Sequence, residues 1–407
     1  MKKYKHLFLL VLLFQLVAFE MLNAHPMPNS MVVLKIHEKN ITGEIQIPLS
    51  ELQSAIGMGV NDHSDRLVER LGDTLRRYLL THIRPKTFDG KPWTVALGEM
   101  RVHEIKSQLS GVYKELVVDF SMNPPTSYDL RNFYFDYDAV LHQVASHRIL
   151  VSIKQDWKQG IVAEDSTLNE IGVIELDVPT NTIKPFQVSL EQGSTWRGFK
   201  SMVVLGMNHI KEGLDHLLFL LVLLLPALQL VQDNKWTGYT GARSGAFNVL
   251  KIVTAFTIGH SITLLLGAIG WIHLPSQPVE ILIGISILVS AIHAIKPFFA
   301  GKESYIAAGF GLVHGLAFAS TLADLSLAPT DFALSILGFN VGIEVFQLFL
   351  ILLLLPILVF VAKKTSYYTY VRIVGACLAM VASFAWILER VTTQPNAVTT
   401  LIQQIMA

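Results

Sequence analysis

Five ionisable side chains stand at the head of a leucine-rich run in His209-Ile210-Lys211-Glu212-Gly213-Leu214-Asp215-His216. On a continuous α-helix, at about 100° per residue, His209 and His216 nearly eclipse each other two turns apart. Glu212 and Asp215 fall within about 120° beside them. One helix face then offers two imidazoles and two carboxylates, and Lys211 at its edge can pair with one of the acids. An interfacial helix start with snorkelling side chains would use the same residues. Against that, residues 217–225 alone fall short of the about 20 needed to span a bilayer, which draws the charged group into the span.

Each ionisable side chain inside a bilayer costs about 3 kcal/mol or more, so the others also ask for a reason. His260 lies in Phe256-Thr257-Ile258-Gly259-His260-Ser261-Ile262-Thr263, and His314 lies among glycines and alanines at residues 311–319. A lone buried histidine serves most often as a structural hydrogen-bonder, and small residues let helices pack closely. Asn340, Glu344 and Gln347 follow at i, i+4 and i+7, one polar stripe on an otherwise apolar helix. Counted from alternating membrane sides, His216, His260, His314 and Glu344 all arrive near mid-depth. Three imidazoles and a carboxylate at one level suit borderline divalent ions such as Ni²⁺, Co²⁺ or Zn²⁺, without soft sulfur for Cu(I). The candidate metal residues are therefore His209, Glu212, Asp215, His216, His260, His314 and Glu344, with Ser261, Asn340 and Gln347 as polar support. His293 and Glu280, near opposite ends of one segment, read as interfacial, and Asp324 as solvated.

The elements that position these residues follow from composition. Of 407 residues 51% are hydrophobic and only 16% charged, a share too low for an ordinary soluble chain. Lys and Arg balance Asp and Glu at 32 each with no basic block, so nothing points to nucleic acid. Cys377 is the only cysteine, which excludes internal disulfides and thiolate metal sites. Lys2, Lys3 and Lys5, an apolar core at 7–19 and Leu22-Asn23-Ala24 have the layout of a signal peptide cleaved after residue 24. Residues 25–198 read as a β-rich extracytoplasmic domain. Strands are expected at 31–37, 41–48, 116–121, 133–137, 149–155, 171–178 and 186–190, with a helix at 65–81 whose stripe is Val68, Leu71, Leu75 and Leu79.

Residues 199–390 read as a bundle of about six transmembrane helices, at 202–230, 249–270, 278–298, 305–325, 332–362 and 369–389. Lys235, Arg243, Lys251, Lys296, Lys302, Lys363 and Lys364 occupy alternate connections, and the intervening ones (272–277 and 326–331) have no Lys or Arg. That bias places the bundle in the inner membrane with the outer domain and the tail 391–407 both extracytoplasmic. No internal repeat, Walker loop or dinucleotide fingerprint occurs.

In His209-(five residues)-Asp215-His216-Leu217-Leu218-Phe219, Gly259-His260-Ser261, His314-Gly315-Leu316-Ala317-Phe318 and Gly338-Phe339-Asn340-Val341-Gly342-Ile343-Glu344, the chain resembles the HupE/UreJ family of bacterial membrane proteins. The resemblance covers about residues 195–390. It implies a secondary permease, usually for nickel, associated with hydrogenase and urease maturation. It also implies metal-handling roles for His209, Asp215, His216, His314 and Glu344. The simplest members lack a large outer domain; a longer branch has one.

Import of a divalent metal, Ni²⁺ first, needs no cofactor. The membrane potential supplies about 4.6 kcal/mol per divalent ion per 100 mV. A zinc-dependent intramembrane hydrolase would use similar residues, with three histidines, an open position and a carboxylate base. A metal sensor or assembly factor, its outer domain docking a partner, is the third reading. Cleavage would also leave His25-Pro26-Met27 as a new N-terminus whose amine and imidazole can chelate metal, with His37 near in sequence.

Overall fold

The computed structural model describes residues 28–107, 111–125, 128–162, 168–272, 274–323, 325, 327–362 and 364–406. The expected signal peptide, His25 and Met27, and also Asp324 and Lys363, lie outside the described residues. The chain divides into two compact units, Met1–Gln155 with Ser166–Glu191 and Asp156–Asp165 with Gln192–Ala407.

The first unit is built on alternation. β1 (Ser30–Ile36) and β2 (Ile41–Pro48) form an antiparallel hairpin closed by the pair Ile36 and Ile41, with Val32, Leu34, Ile45 and Ile47 turned into the core. α1 (Leu49–Ile56) follows, then α2 (Leu67–His82), which buries Leu67, Leu75 and Leu79. β3 (Ile83–Lys86), β4 (Thr94–Ser107), β5 (Gly111–Asn123), β6 (Asn132–Tyr137), β7 (Ile149–Asp156) and β8 (Asn169–Ile174) come next. A ribbon of β9 (Leu176–Asp177) and β10 (Thr182–Ile183), and then β11 (Phe186–Ser189), complete the unit. The main sheet runs β4-β5-β2-β1-β7-β8 and a smaller one β11-β6-β3. The sequence signals miss β3, α1, β4 and β10, and the single strand expected at 171–178 divides into β8 and β9, which belong to different sheets. In β4, Glu99, Arg101, His103, Glu104 and Lys106 break the apolar pattern because it is an edge strand. His147 is buried, its Nδ1 3.1 Å from Glu51 Oε2 and its Nε2 2.7 Å from Ser30 Oγ. Burial pushes that imidazole down to about 4, so a neutral ring ties the start of β1 to α1.

The second unit is helical. It contains α3 (Thr195–Glu212), α4 (Leu214–Leu224), a hairpin of β12 (Gln229–Gln232) and β13 (Lys235–Tyr239), α5 (Ala242–Ala268), α6 (Ser276–Ile295), α7 (Glu303–Ala317) and α8 (Ala319–Ala323). α9 (Pro329–Ala362), α10 (Thr365–Thr392) and α11 (Ala397–Met406) complete it. Among the described residues, four helices are long and apolar enough to cross a membrane: Ala242–Ala268, Ser276–Ile295, Pro329–Ala362 and Ser366–Thr392. They expose Leu352, Phe360, Leu378 and Phe384, all more than half accessible, a surface that suits lipid rather than water. The other two expected spans are not continuous. The first breaks at Gly213 into α3 and α4, and the fourth ends at Ala317 before the short α8.

Glycine ridges set the helix pairs. A Cβ on Gly206 would lie 2.1 Å from the Phe339 carbonyl oxygen, and one on Gly342 2.0 Å from that of Val203, so α3 and α9 touch backbone to backbone. Gly259, Gly311 and Gly315 bring α5 and α7 equally close. α6 and α10 run antiparallel, with Gln277 donating to the Arg390 carbonyl at one end and Arg372 capping the Ala294 and Ile295 carbonyls at the other. At the start of α3, Ser194 Oγ accepts the Arg197 amide at 3.1 Å, an N-cap.

Candidate metal centre

The break at Gly213 is what assembles the site. Its φ of −73° and ψ of 94° leave the helix, while its amide still donates to the His209 carbonyl at 3.0 Å. On an unbroken helix the seven residues from His209 to His216 would separate the two by about 10.5 Å along the axis. With the break, the ring centroids stand 4.7 Å apart. This corrects the eclipsed arrangement expected for one continuous helix. A Cβ at residue 213 would sit 2.6 Å from His216 Nδ1 and 2.9 Å from an Asp215 carboxylate oxygen, so only glycine fits.

α5 and α7 complete the cluster. His260 lies with its ring centroid 6.0 Å from His209 and 6.2 Å from His216, and His314 lies 5.2 Å from His216. Among the described residues two donor groups result: His209 with His216 and His260, and Asp215 with His216 and His314, each with one ligand atom per residue within 4.8 Å of the others. A tetrahedral metal with bonds of about 2.1 Å holds its ligand atoms about 3.4 Å apart, so capture draws these atoms together by up to about 1.4 Å.

Hydrogen bonds fix which nitrogens are available. Asp215 Oδ1 lies 3.0 Å from His216 Nδ1, which orients the ring and leaves Nε2 as the ligand nitrogen. Ser286 Oγ donates to the Ile283 carbonyl at 2.7 Å, so at 3.0 Å it accepts from His314 Nε2 and leaves the His314 Nδ1 lone pair free. His209 Nε2, His216 Nε2, both nitrogens of His260 and His314 Nδ1 are buried without a hydrogen-bond partner. Leaving so many imidazole nitrogens unmatched costs about 1–3 kcal/mol each. Phe219, Phe256, Phe318 and Phe339 wall the rings, with centroid distances of 4.6 Å from Phe318 to His209 and 5.0 Å from Phe256 to His314.

A cavity of about 750 Å³ along α3 reaches the cluster at His209 and is lined also by Glu212, Gly213, Asn208 and Lys200. Glu212 is exposed on this cavity and belongs to neither donor group. Glu344 is likewise outside both: its carboxylate accepts from Thr254 Oγ1 at 3.1 Å, and Thr254 lies six residues from His260, about 9 Å along α5. Gln347 Oε1 accepts from Thr257 Oγ1 at 3.2 Å, Ser261 Oγ donates to the Thr257 carbonyl, and Asn340 Nδ2 donates to the Ile336 carbonyl. These bonds join α5 to α9 or run to helix backbones, and Asn340 Oδ1 is left buried without a partner. His293 lies in the last turn of α6, near the end of the span as expected, and is 2% exposed. Ser286 is the contributor that sequence reasoning missed; its signal was Ser286 and Ser290 at i and i+4 in an apolar helix.

Compared with known protein families, residues 186–390, about half of the chain, match the family described as HupE / UreJ protein. No curated protein and no solved structure matches the chain.

Proposed function

Because the chain belongs to the HupE / UreJ family, we propose that its bundle imports a divalent transition metal, Ni²⁺ first and Co²⁺ or Zn²⁺ after it, as a secondary permease of the inner membrane. The observation that carries this reading is the pair of donor groups sharing His216 inside an apolar bundle. A cation leaving water needs its hydration replaced, and neutral imidazoles with one carboxylate do this for borderline ions. Asp215 also offsets part of the cargo's charge in a medium where charge is expensive.

In this reading the ion enters along the cavity past Glu212, meets His209, and is held by His216 with His260 or with His314 and Asp215. A ring shared by two groups lets the ion change partners without returning to water. A helix interrupted at the binding level is a recurrent way to supply such a site. The lysine bias puts the cavity mouth and the first unit outside, with the β12–β13 hairpin and Lys235 inside. A hydrolase would need a carboxylate free to act as base. Asp215 engages His216 and Glu344 engages Thr254, so the carboxylate left open to the cavity is Glu212, which belongs to neither donor group.

The test is uptake of Ni²⁺, Co²⁺ and Zn²⁺ into proteoliposomes bearing the full chain. Saturable flux is expected, with His216→Ala reducing it to the level of empty liposomes. One tightly held zinc per chain and no flux of any ion would sink the proposal.

A further inference from the structure

Four of the helices that meet at the histidine cluster meet again further on. From His216 the chain continues to Leu223, from His260 it goes back to Ile252, from Ser286 on to His293 and from His314 back to Glu303. These displacements of about seven to eleven residues amount to roughly 10–16 Å along each helix. All four end points line one cavity of about 330 Å³. Between it and the cluster lies an apolar layer that includes Phe219, Phe256 and Ile287.

This second chamber contains polar atoms with nothing to bond. His293 is 2% exposed, and its Nε2 has no hydrogen-bond partner. The ring is held flat against Phe299, with centroids 3.6 Å apart. Glu303 Oε1 stands 3.8 Å from that nitrogen. The gap is too long for a hydrogen bond, and close to the spacing of two ligand atoms around an ion with bonds of about 2.1 Å. Gln229 Oε1, carried by β12, lines the same cavity and is also buried without a partner. Lys251 is exposed at the lining. Binding at His293 Nε2 requires the ring proton on Nδ1, where the Phe299 amide sits at 3.4 Å, a contact long enough to yield.

We propose that this cavity is a second divalent-metal site, a release station beyond the histidine cluster, with His293 and Glu303 as ligands and the Gln229 carbonyl as a third. The assignment rests on the transport reading above. One imidazole and one carboxylate beside the Lys251 ammonium hold a cation more weakly than the cluster does, as a release site should. Ser286, Ser290 and His293 at i, i+4 and i+7 make one polar face of α6 that runs from His314 to this chamber.

The experiment is a titration of the full chain in lipid nanodiscs with Co²⁺ alone, counting bound ions by equilibrium dialysis. Two ions per chain are expected. Glu303→Gln, nearly the same size, and His293→Gln should each hold one, still at the cluster, and His216→Ala should keep only the far ion. Equal counts in the wild type and both far-cavity variants overturn the second site and leave the transport reading standing. No bound Co²⁺ on the wild type overturns the second site and, together with no flux of any ion into proteoliposomes, the transport reading as well.

Discussion

At residue scale the chemistry turns on which imidazole nitrogens are free. Asp215 holds His216 by Nδ1 and Ser286 holds His314 by Nε2, so each ring presents a defined lone pair to the cluster. Partners of this kind orient a ligand and raise its basicity, and losing one costs about 10–100-fold in metal affinity. Asp215→Asn is therefore expected to weaken Co²⁺ binding at the cluster by about that factor while the protein remains folded. Gly213→Ala should do at least as much, because its Cβ would displace the His216 ring and the Asp215 carboxylate together. Calorimetric titration of both variants checks this. Unchanged affinity in Gly213→Ala would mean that the helix break does not position the ligands.

At the scale of elements, two helix pairs depend on bare backbone. α7 tests this cleanly because it contains both kinds of glycine. A Cβ on Gly311 would lie 2.1 Å from the Phe256 carbonyl oxygen, whereas one on Gly309 meets nothing within 4 Å. Gly311→Leu should destabilise the bundle by about 1–3 kcal/mol or more, since a rigid backbone contact cannot yield to added volume. Gly309→Ala should be neutral, or stabilising by about 0.5–1 kcal/mol through reduced backbone freedom. Thermal unfolding in one detergent compares the two, and equal shifts would refute the packing argument. The same close approach carries function, because His260 and His314 sit on these two helices. A wider α5–α7 spacing would take His314 out of reach of His216.

For the whole molecule, the cluster is open along α3 and closed by the Phe219 and Phe256 layer on the other side. With the exposed Cys377 replaced by Ser, Asn208→Cys should react with a water-soluble maleimide and Ile287→Cys should not. Equal reactivity at both positions would mean that the bundle is not closed on one side. Much of this arrangement was legible in the sequence. Apolar runs located the lipid-facing helices, since transfer from water depends on composition alone. Ionisable residues inside those runs marked His209, Asp215, His216, His260 and His314, since burying such groups is costly wherever the helix points. Alternation gave β1 and β2 and an apolar stripe at helical spacing gave α2, whereas the edge strand β4 was hidden by its solvated charges. Depth counting gave each residue's level but not its direction around the helix axis, so Glu344 was grouped with a cluster that it does not join. Only the tertiary structure decided the break at Gly213, the pairing of Ser286 with His314 and the burial of His293 beside Glu303. Each depends on how backbones approach across helices distant in sequence, which no local pattern of residues encodes.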